Sequence, residues 1–160
     1  MEHNNNQEIT YIRHFEQSGH GEFDPPLKRQ PYPRRHRTQQ YDVIVCSPYQ
    51  RCRQTALACA AGWGTPVIVD YRLCEYRGGK KHDRRMIIAT KFPDCSESWA
   101  ACEARLDDFH AHLPEGARQP RVLVVTHGVC VRYMQVKLEG SSPYSRGRQV
   151  PYGEGFTVEL

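Results

Sequence analysis

Short apolar runs alternate with amphipathic segments along most of the chain. The apolar runs predict strands at residues 9–13, 43–46, 66–70, 121–126 and 156–160. Two of them, at 43–46 and 122–125, are continuously apolar, as in strands whose two faces are both buried. The amphipathic segments predict helices at 48–61, about 96–112 and 129–138, with a short helix at 83–91. Gly62 follows the first of these helices and is predicted to end it as the C′ residue.

The alternation of strands and helices is typical of an α/β fold. We therefore expect a three-layer sandwich with a mainly parallel central sheet, in which the final strand could run antiparallel. The 160 residues predict a single domain over 1–160, with residues 1–8 as a disordered lead-in. Residues 24–40 are rich in prolines and basic side chains, so the crossover between the first two strands is predicted to be a basic loop without a regular helix.

Charge and composition narrow the classes of function. A net charge of +4 suits an anionic ligand and is too small to indicate nucleic acid by itself. No apolar run approaches the roughly 20 residues of a membrane helix, and the polar start lacks the apolar centre of a secretory signal. The seven cysteines include no CxxC pair, which favours buried reduced thiols of a cytoplasmic protein. His110 and His112 would diverge on a helix, so we expect no metal site there.

Arginine, histidine and glutamate follow the predicted strands at their carboxyl ends. These residues are Arg13 and His14 after the first strand, Arg51 after the second, Glu75 after the third and His127 after the fourth. Ligands of open α/β sheets bind beyond the carboxyl ends of the strands. One such residue would have little meaning, but the five together predict a single site.

The start of the helix after the second strand has its own pattern. Ser47 and Pro48 have the character of an N-cap and a first helical residue, and Gln50 would complete a capping box. The free N–H groups of such a helix start favour an anion. Arg51 and Arg53 both lie in the first turns, and only one of them can face the edge of the sheet.

This set of residues suits phosphoryl transfer. Arginines bind a tetrahedral oxyanion through charge-assisted hydrogen bonds, and they also keep a nearby histidine neutral and able to attack phosphorus. A second histidine can stabilise the transferring oxygens. Glu75 could protonate the leaving oxygen, or it could serve only as an ion-pair partner. The spacing contains no metal-ligand pattern, so we expect neither a metal nor a cofactor.

The segments IRHFE, SPYQRCRQTA, RLCE and VTHG together resemble the signature set of the histidine phosphatase superfamily, which has the phosphoglycerate mutase-like fold. They occur in the family's order from residue 9 to about 134, and they look closest to its small phosphatase branch. The resemblance implies that His14 becomes a phosphohistidine, with His127 and Glu75 as the other catalytic residues. It also implies that Arg13, Arg51 and His127 form the phosphate pocket.

The expected function is that of a phosphoric monoester hydrolase, a metal-independent phosphatase with a covalent phosphohistidine intermediate. Its substrate would be a phosphorylated small molecule or a phosphoprotein, with no nucleic acid or membrane partner. The alternatives are a protein phosphohistidine phosphatase, a phosphoglycerate-type mutase and an inactive domain that binds phosphorylated ligands. The mutase is disfavoured because the large insertion over the site is missing. The sequence names neither the substrate nor the oligomeric state.

Phe15 is the main departure from the family pattern, because it replaces the glycine of the usual RHGE motif. Its ring could form a wall of a hydrophobic leaving-group pocket. A ring that filled the phosphate pocket would instead favour the inactive binding domain, so the position of Phe15 discriminates between these functions.

Overall fold

The computed structural model of the protein describes residues 6–19, 24–29, 32, 34–76, 97–144 and 148–160. The strands in these residues are β1 (Glu8–Arg13), β2 (Val43–Cys46), β3 (Val67–Val69), β4 (Arg121–Thr126) and β5 (Gly155–Glu159). They form one sheet in the order β3-β2-β4-β1-β5. Four strands are parallel, and β5 pairs with β1 in the antiparallel direction. The mainly parallel sheet predicted from the sequence is confirmed.

The helices are α1 (Arg35–Thr38), α2 (Gln50–Ala60), α3 (Trp99–Ala111) and α4 (Gly128–Glu139), with a 3₁₀ turn at Tyr71–Leu73. Gly62 has a φ of 85°, a conformation that glycine adopts without strain, and it follows α2 as predicted. None of the described helices is both long and apolar enough to cross a bilayer. The helix predicted at 83–91 lies outside the described residues.

The crossover between β1 and β2 differs from its prediction, because α1 forms one helical turn within it. This turn begins only after the prolines, where backbone N–H groups are again available for helical hydrogen bonds. His36 within it is buried, so this turn is attached to the core.

The sheet separates two apolar cores. Ile9 and Tyr11 of β1 pack in one core with α3 and α4, whereas Ile12 packs in the other with α2. Successive side chains of a strand point to opposite faces of the sheet. Strands that are apolar throughout therefore contribute side chains to both cores. The molecule is therefore the three-layer sandwich expected from the sequence.

The amino-terminal segment joins the fold earlier than predicted. The Gln7 side chain donates to the carbonyls of Ala117 and Gln119 at 3.1 and 2.9 Å, and β1 begins at Glu8. The disordered lead-in predicted over 1–8 is thus wrong for residues 7 and 8, while residues 1–5 lie outside the description. None of the six described cysteines forms a disulfide, and all six are buried.

Candidate active site

Three turns meet at the carboxyl edge of the sheet, directly after β1, β2 and β4. The backbone N–H of His14 donates to the carbonyl of Thr126 at 3.0 Å, and that of Ser47 donates to Val125 at 3.0 Å. These bonds continue the pairing of the strands by one residue on either side of β4. The turns that carry His14, Ser47 and His127 are therefore held in fixed register by the sheet.

His14 is a buried neutral imidazole with only 3% of its surface exposed. Its Nδ1 lies 2.7 Å from the carbonyl oxygen of Phe15, which can only accept, so Nδ1 carries the proton. Nε2 accepts a hydrogen bond from Arg51 Nε at 3.2 Å. Burial lowers the pKa of His14 to about 3, and the charges of Arg51 and Arg13 act in the same direction. The lone pair of Nε2 consequently remains unprotonated at neutral pH.

Arg51 is the buried centre of the site. Its Nη2 lies 2.5 Å from Glu75 Oε2 and 3.4 Å from His127 Nδ1, and its Nη1 lies 3.6 Å from Asp24 Oδ1. Arg53 is exposed on the other side of α2. One arginine of the pair faces the edge of the sheet, as the helical spacing predicts.

His127 is fully buried and has its two ring nitrogens against protein groups. Because Arg51 can only donate, Nδ1 of His127 accepts from it, and the proton lies on Nε2, 2.9 Å from Ser47 Oγ. Glu75 Oε2 is 3.8 Å from Nδ1, and the edge of the imidazole meets the Tyr49 ring at a centroid distance of 4.8 Å. The ring is thus fixed in orientation from several sides.

Arg13 lies across the start of α4. Its Nη1 donates to the carbonyl of Val150 at 2.7 Å, and its Cζ lies 4.0 Å from the centroid of the Tyr152 ring. A Cβ at Gly128 would come within 3.3 Å of Arg13 Cδ, so the glycine leaves room for this arginine. Nε of Arg13 is buried without a hydrogen-bond partner.

Asp24 is a residue of the site that the sequence did not reveal. Its two carboxylate oxygens accept from the backbone N–H of Gln50 at 2.8 and 3.0 Å. The helix begins at Gln50 with Tyr49 as N-cap, so the capping box predicted from Ser47 and Gln50 is wrong. Burial raises the pKa of Asp24, although Gln50 and Arg51 oppose the shift. A cap supplied from 26 residues upstream has no local sequence signal.

Phe15 belongs to the core. Its ring is fully buried, stacks on Tyr32 at a centroid distance of 5.4 Å and packs in the same apolar cluster as Leu27 and Tyr41. Its backbone N–H donates to Thr55 Oγ1 at 2.9 Å. The ring does not line the cavity beside Arg13 and Glu75, so the substitution of the motif glycine enlarges the core.

The structure brings the five predicted side chains together in one place. They are Arg13, His14, Arg51, Glu75 and His127. Two guanidinium groups beside two imidazoles can hold a dianionic tetrahedral group, and the carboxylate of Glu75 lies next to it with 34% of its side chain exposed. Among the described residues there is no group of three or more side chains suited to hold a metal ion.

A sequence profile of the histidine phosphatase superfamily (branch 1) matches residues 30–154. The match covers more than half of the chain, and the protein belongs to this superfamily. It begins after Arg13 and His14, so these two residues are placed in the site by the structure and by the motif, not by the profile. None of the curated protein sequences is similar enough to the chain to count as a match.

Solved structures share the fold at low sequence identity. Phosphoglycerate mutase from Bacillus anthracis superposes with a TM-score of 0.70 at 13% identity, over 97% of this chain and 88% of that one. The mycobacterial glucosyl-3-phosphoglycerate phosphatase gives 0.62 at 17%, over 96% and 89%. The α-ribazole phosphatase from Shigella flexneri gives 0.59 at 19%, over 85% and 81%. The fold is therefore phosphoglycerate mutase-like, as the sequence motifs implied.

Proposed function

We propose that the protein is a phosphatase that hydrolyses phosphomonoesters through a covalent phosphohistidine on His14. The observation that carries this proposal is the state of His14, a buried neutral imidazole whose Nε2 lone pair faces Arg51. Neutral imidazole is a competent nucleophile. The substrate is a phosphorylated small molecule or a phosphoprotein, and the site of action is the cytoplasm, as the cysteine usage predicts.

Binding of the phosphate exchanges one set of contacts for another. Without substrate, Arg51 bonds to Glu75 and to Nε2 of His14. A phosphate dianion carries more charge than Glu75, so it attracts the guanidinium more strongly. As Arg51 turns toward the phosphate, it releases the lone pair of Nε2 for attack and separates from the carboxylate of Glu75.

In the first chemical step, His14 Nε2 attacks phosphorus and the bond from phosphorus to the ester oxygen breaks. Arg13 and Arg51 stabilise the negative charge on the transferring oxygens. His127 donates to the same oxygens from Nδ1, once Arg51 has left this nitrogen and the ring proton has moved there from Nε2, which then accepts from the Ser47 hydroxyl. Glu75 delivers a proton to the departing oxygen. The products are a free alcohol and a phosphohistidine whose Nδ1 proton is still donated to the carbonyl of Phe15.

In the second step, the carboxylate of Glu75 takes a proton from a water molecule as that water attacks phosphorus. The bond between phosphorus and Nε2 breaks, inorganic phosphate leaves and the lone pair returns to His14. The positive charge that stabilises both steps comes from Arg13 and Arg51. We therefore propose a reaction that needs neither a metal nor a cofactor.

The position of Phe15 supports an enzyme over an inactive binding domain. Its ring lies in the core with Tyr32 and does not line the cavity beside Arg13 and Glu75. The names of two structural neighbours, α-ribazole phosphatase and glucosyl-3-phosphoglycerate phosphatase, support a small-molecule ester as the first substrate to try. A mutase and a protein phosphohistidine phosphatase remain as alternatives for the same assays.

The direct test is phosphate release, with EDTA present, from 4-nitrophenyl phosphate, phenyl phosphate, a phosphotyrosine peptide, a phosphohistidine peptide and 3-phosphoglycerate. Hydrolysis of at least one ester supports the proposal. Formation of 2-phosphoglycerate would indicate a mutase. Hydrolysis of the phosphohistidine peptide alone would indicate the protein phosphatase, and absence of turnover on all five would favour the binding domain.

Glu75→Gln tests the role of the carboxylate. We expect kcat/KM on phenyl phosphate, which reports the first step and excludes the shared hydrolysis of the phosphohistidine, to fall by about 10²–10³-fold, since general acid catalysis contributes that much when the leaving group is a poor one. The loss on 4-nitrophenyl phosphate should be about tenfold or less, because nitrophenolate departs without a proton. Equal losses on the two esters would show that Glu75 acts only as the ion-pair partner of Arg51.

A further inference from the structure

A cavity continues from the site beyond Arg13 and Glu75. Its volume is about 140 Å³, and Arg132 and Arg148 line it together with Arg13 and Glu75. Arg132 lies on α4, and Arg148 lies in the segment before β5. Sites that enclose a whole small ligand measure roughly 300–1,000 Å³, so this space suits one functional group of a larger molecule.

The cavity carries an excess of positive charge. Three arginines line it, Arg13, Arg132 and Arg148, against one acidic residue, Glu75. That carboxylate already bonds to Arg51 at 2.5 Å. Within the described part of the chain, neither Arg132 nor Arg148 takes part in an ion pair or a side-chain hydrogen bond. Guanidinium groups that converge on a concave surface attract an anion and gain charge-assisted hydrogen bonds from it.

We propose that this cavity binds a second anionic group, a carboxylate or a phosphate, carried by the alcohol part of the substrate. The inference rests on the proposed function, in which the ester oxygen departs next to Glu75. Because Glu75 borders both the phosphate pocket and the cavity, the departing alcohol extends toward Arg132 and Arg148. The preferred substrates are thus phosphomonoesters with a second negative charge a few bonds from the ester oxygen.

The test compares two esters of equal size, 3-carboxyphenyl phosphate and 3-carbamoylphenyl phosphate. Wild-type protein should show a kcat/KM about tenfold higher for the carboxylate at low ionic strength, mainly through a lower KM. Arg132→Gln and Arg148→Gln should each reduce this ratio by about three- to tenfold, the range for charge-assisted bonds that are partly exposed to solvent. A bisphosphate, 1,3-phenylene bisphosphate, distinguishes a phosphate from a carboxylate as the preferred second group.

Arg118→Gln is the matched control, since it removes the same charge from an exposed arginine. Arg118 lines a separate cavity beside Gln7 and Leu160, at the opposite edge of the sheet, so the ratio should not change. Equal kcat/KM for the carboxyphenyl and carbamoylphenyl esters in wild type, or a ratio that Arg118→Gln lowers as much as the other variants, would overturn the inference.

A binding measurement separates this inference from the proposed function. The corresponding phosphonates, 3-carboxyphenylphosphonate and 3-carbamoylphenylphosphonate, can be titrated calorimetrically without turnover. Tighter binding of the carboxylate that is lost in Arg132→Gln, in a protein that hydrolyses neither ester, would support the cavity and refute the phosphatase. Turnover of both esters together with equal phosphonate affinities would refute the cavity and keep the phosphatase.

Discussion

The turns that carry His14 and His127 follow neighbouring parallel strands, yet they hold their rings in opposite states. His14 keeps its proton on Nδ1, bonded to the carbonyl of Phe15, and leaves Nε2 to face Arg51. His127 keeps its proton on Nε2, bonded to Ser47, and turns Nδ1 toward Arg51 and Glu75. The same position at a strand end therefore does not assign a role. The hydrogen-bond partner of each ring decides which nitrogen can act.

The difference predicts an order of importance. The Nε2 lone pair of His14 has one weak partner, at 3.2 Å, which a bound phosphate can displace. Both nitrogens of His127 are occupied by groups that orient the ring, and its Nε2 also lies 3.6 Å from Cys52 Sγ. We expect His14 to form the bond to phosphorus and His127 to stabilise the transferring oxygens.

His14→Ala should have the largest effect. Without the nucleophile, turnover should fall by about 10⁴-fold or more. Wild-type protein quenched in alkali after reaction with labelled substrate should retain a label that acid removes, and the label should map to the peptide containing His14. Substantial residual turnover in His14→Ala, or a label that survives acid, would show that the comparison assigns the nucleophile wrongly.

His127→Ala should slow turnover by about 10²–10³-fold, the usual cost of losing one donor to a transferring oxyanion. Any remaining label should still be on His14, because the nucleophile is intact. Transfer of the label to another residue in this variant, or a loss as large as that of His14→Ala, would contradict the division of roles. Mass analysis of the quenched peptides measures both.

Ser47→Ala should act only through His127. Removal of the hydroxyl frees the His127 ring to rotate, and we expect a loss of about tenfold in kcat, as for other groups that orient a reacting residue. In the His127→Ala background the same change should have no further effect, because coupled residues are not additive. A full tenfold loss in the double variant would mean that Ser47 acts independently of the ring.

The smallest effect concerns stability. The unfolded His14 has a pKa near 6.5, whereas burial holds the folded pKa at about 3. Below pH 6.5 His14 binds a proton in the unfolded chain but not in the folded protein. The free energy of unfolding therefore keeps its full value above pH 6.5 and declines as the pH falls toward 3. His14→Gln should remove this decline, which amounts to at most about 1.4 kcal/mol per pH unit.

Urea unfolding at pH 7, 6 and 5 measures the slope. The difference in slope between the wild type and His14→Gln isolates the contribution of His14. An equal slope in wild type and His14→Gln would show that the ring of His14 is protonated in the folded protein, which would remove the neutral nucleophile from the comparison.

Much of the architecture was predictable because it depends on local patterns. The apolar runs located all five described strands within one residue at each end, since a strand buried on both faces needs an unbroken apolar segment. Parallel strands in turn bring their carboxyl ends to one edge of the sheet. This rule predicted that five residues lie together there, namely Arg13, His14, Arg51, Glu75 and His127. Helix α2 ends before Gly62 for an equally local reason.

The sequence by itself determined the strands, their mainly parallel arrangement and the five residues at their ends, because these depend on neighbours within a few positions. Only the tertiary structure decided that Asp24 caps α2 and that the Phe15 ring enters the core. It also decided that the buried His36 joins Tyr41 to the carbonyl of Gly153, and which nitrogen of the His14 and His127 rings carries the proton. Each of these features depends on a partner that folding brings into contact. Hydrogen bonds between distant segments produce no periodic pattern in the sequence, so the sequence did not predict them.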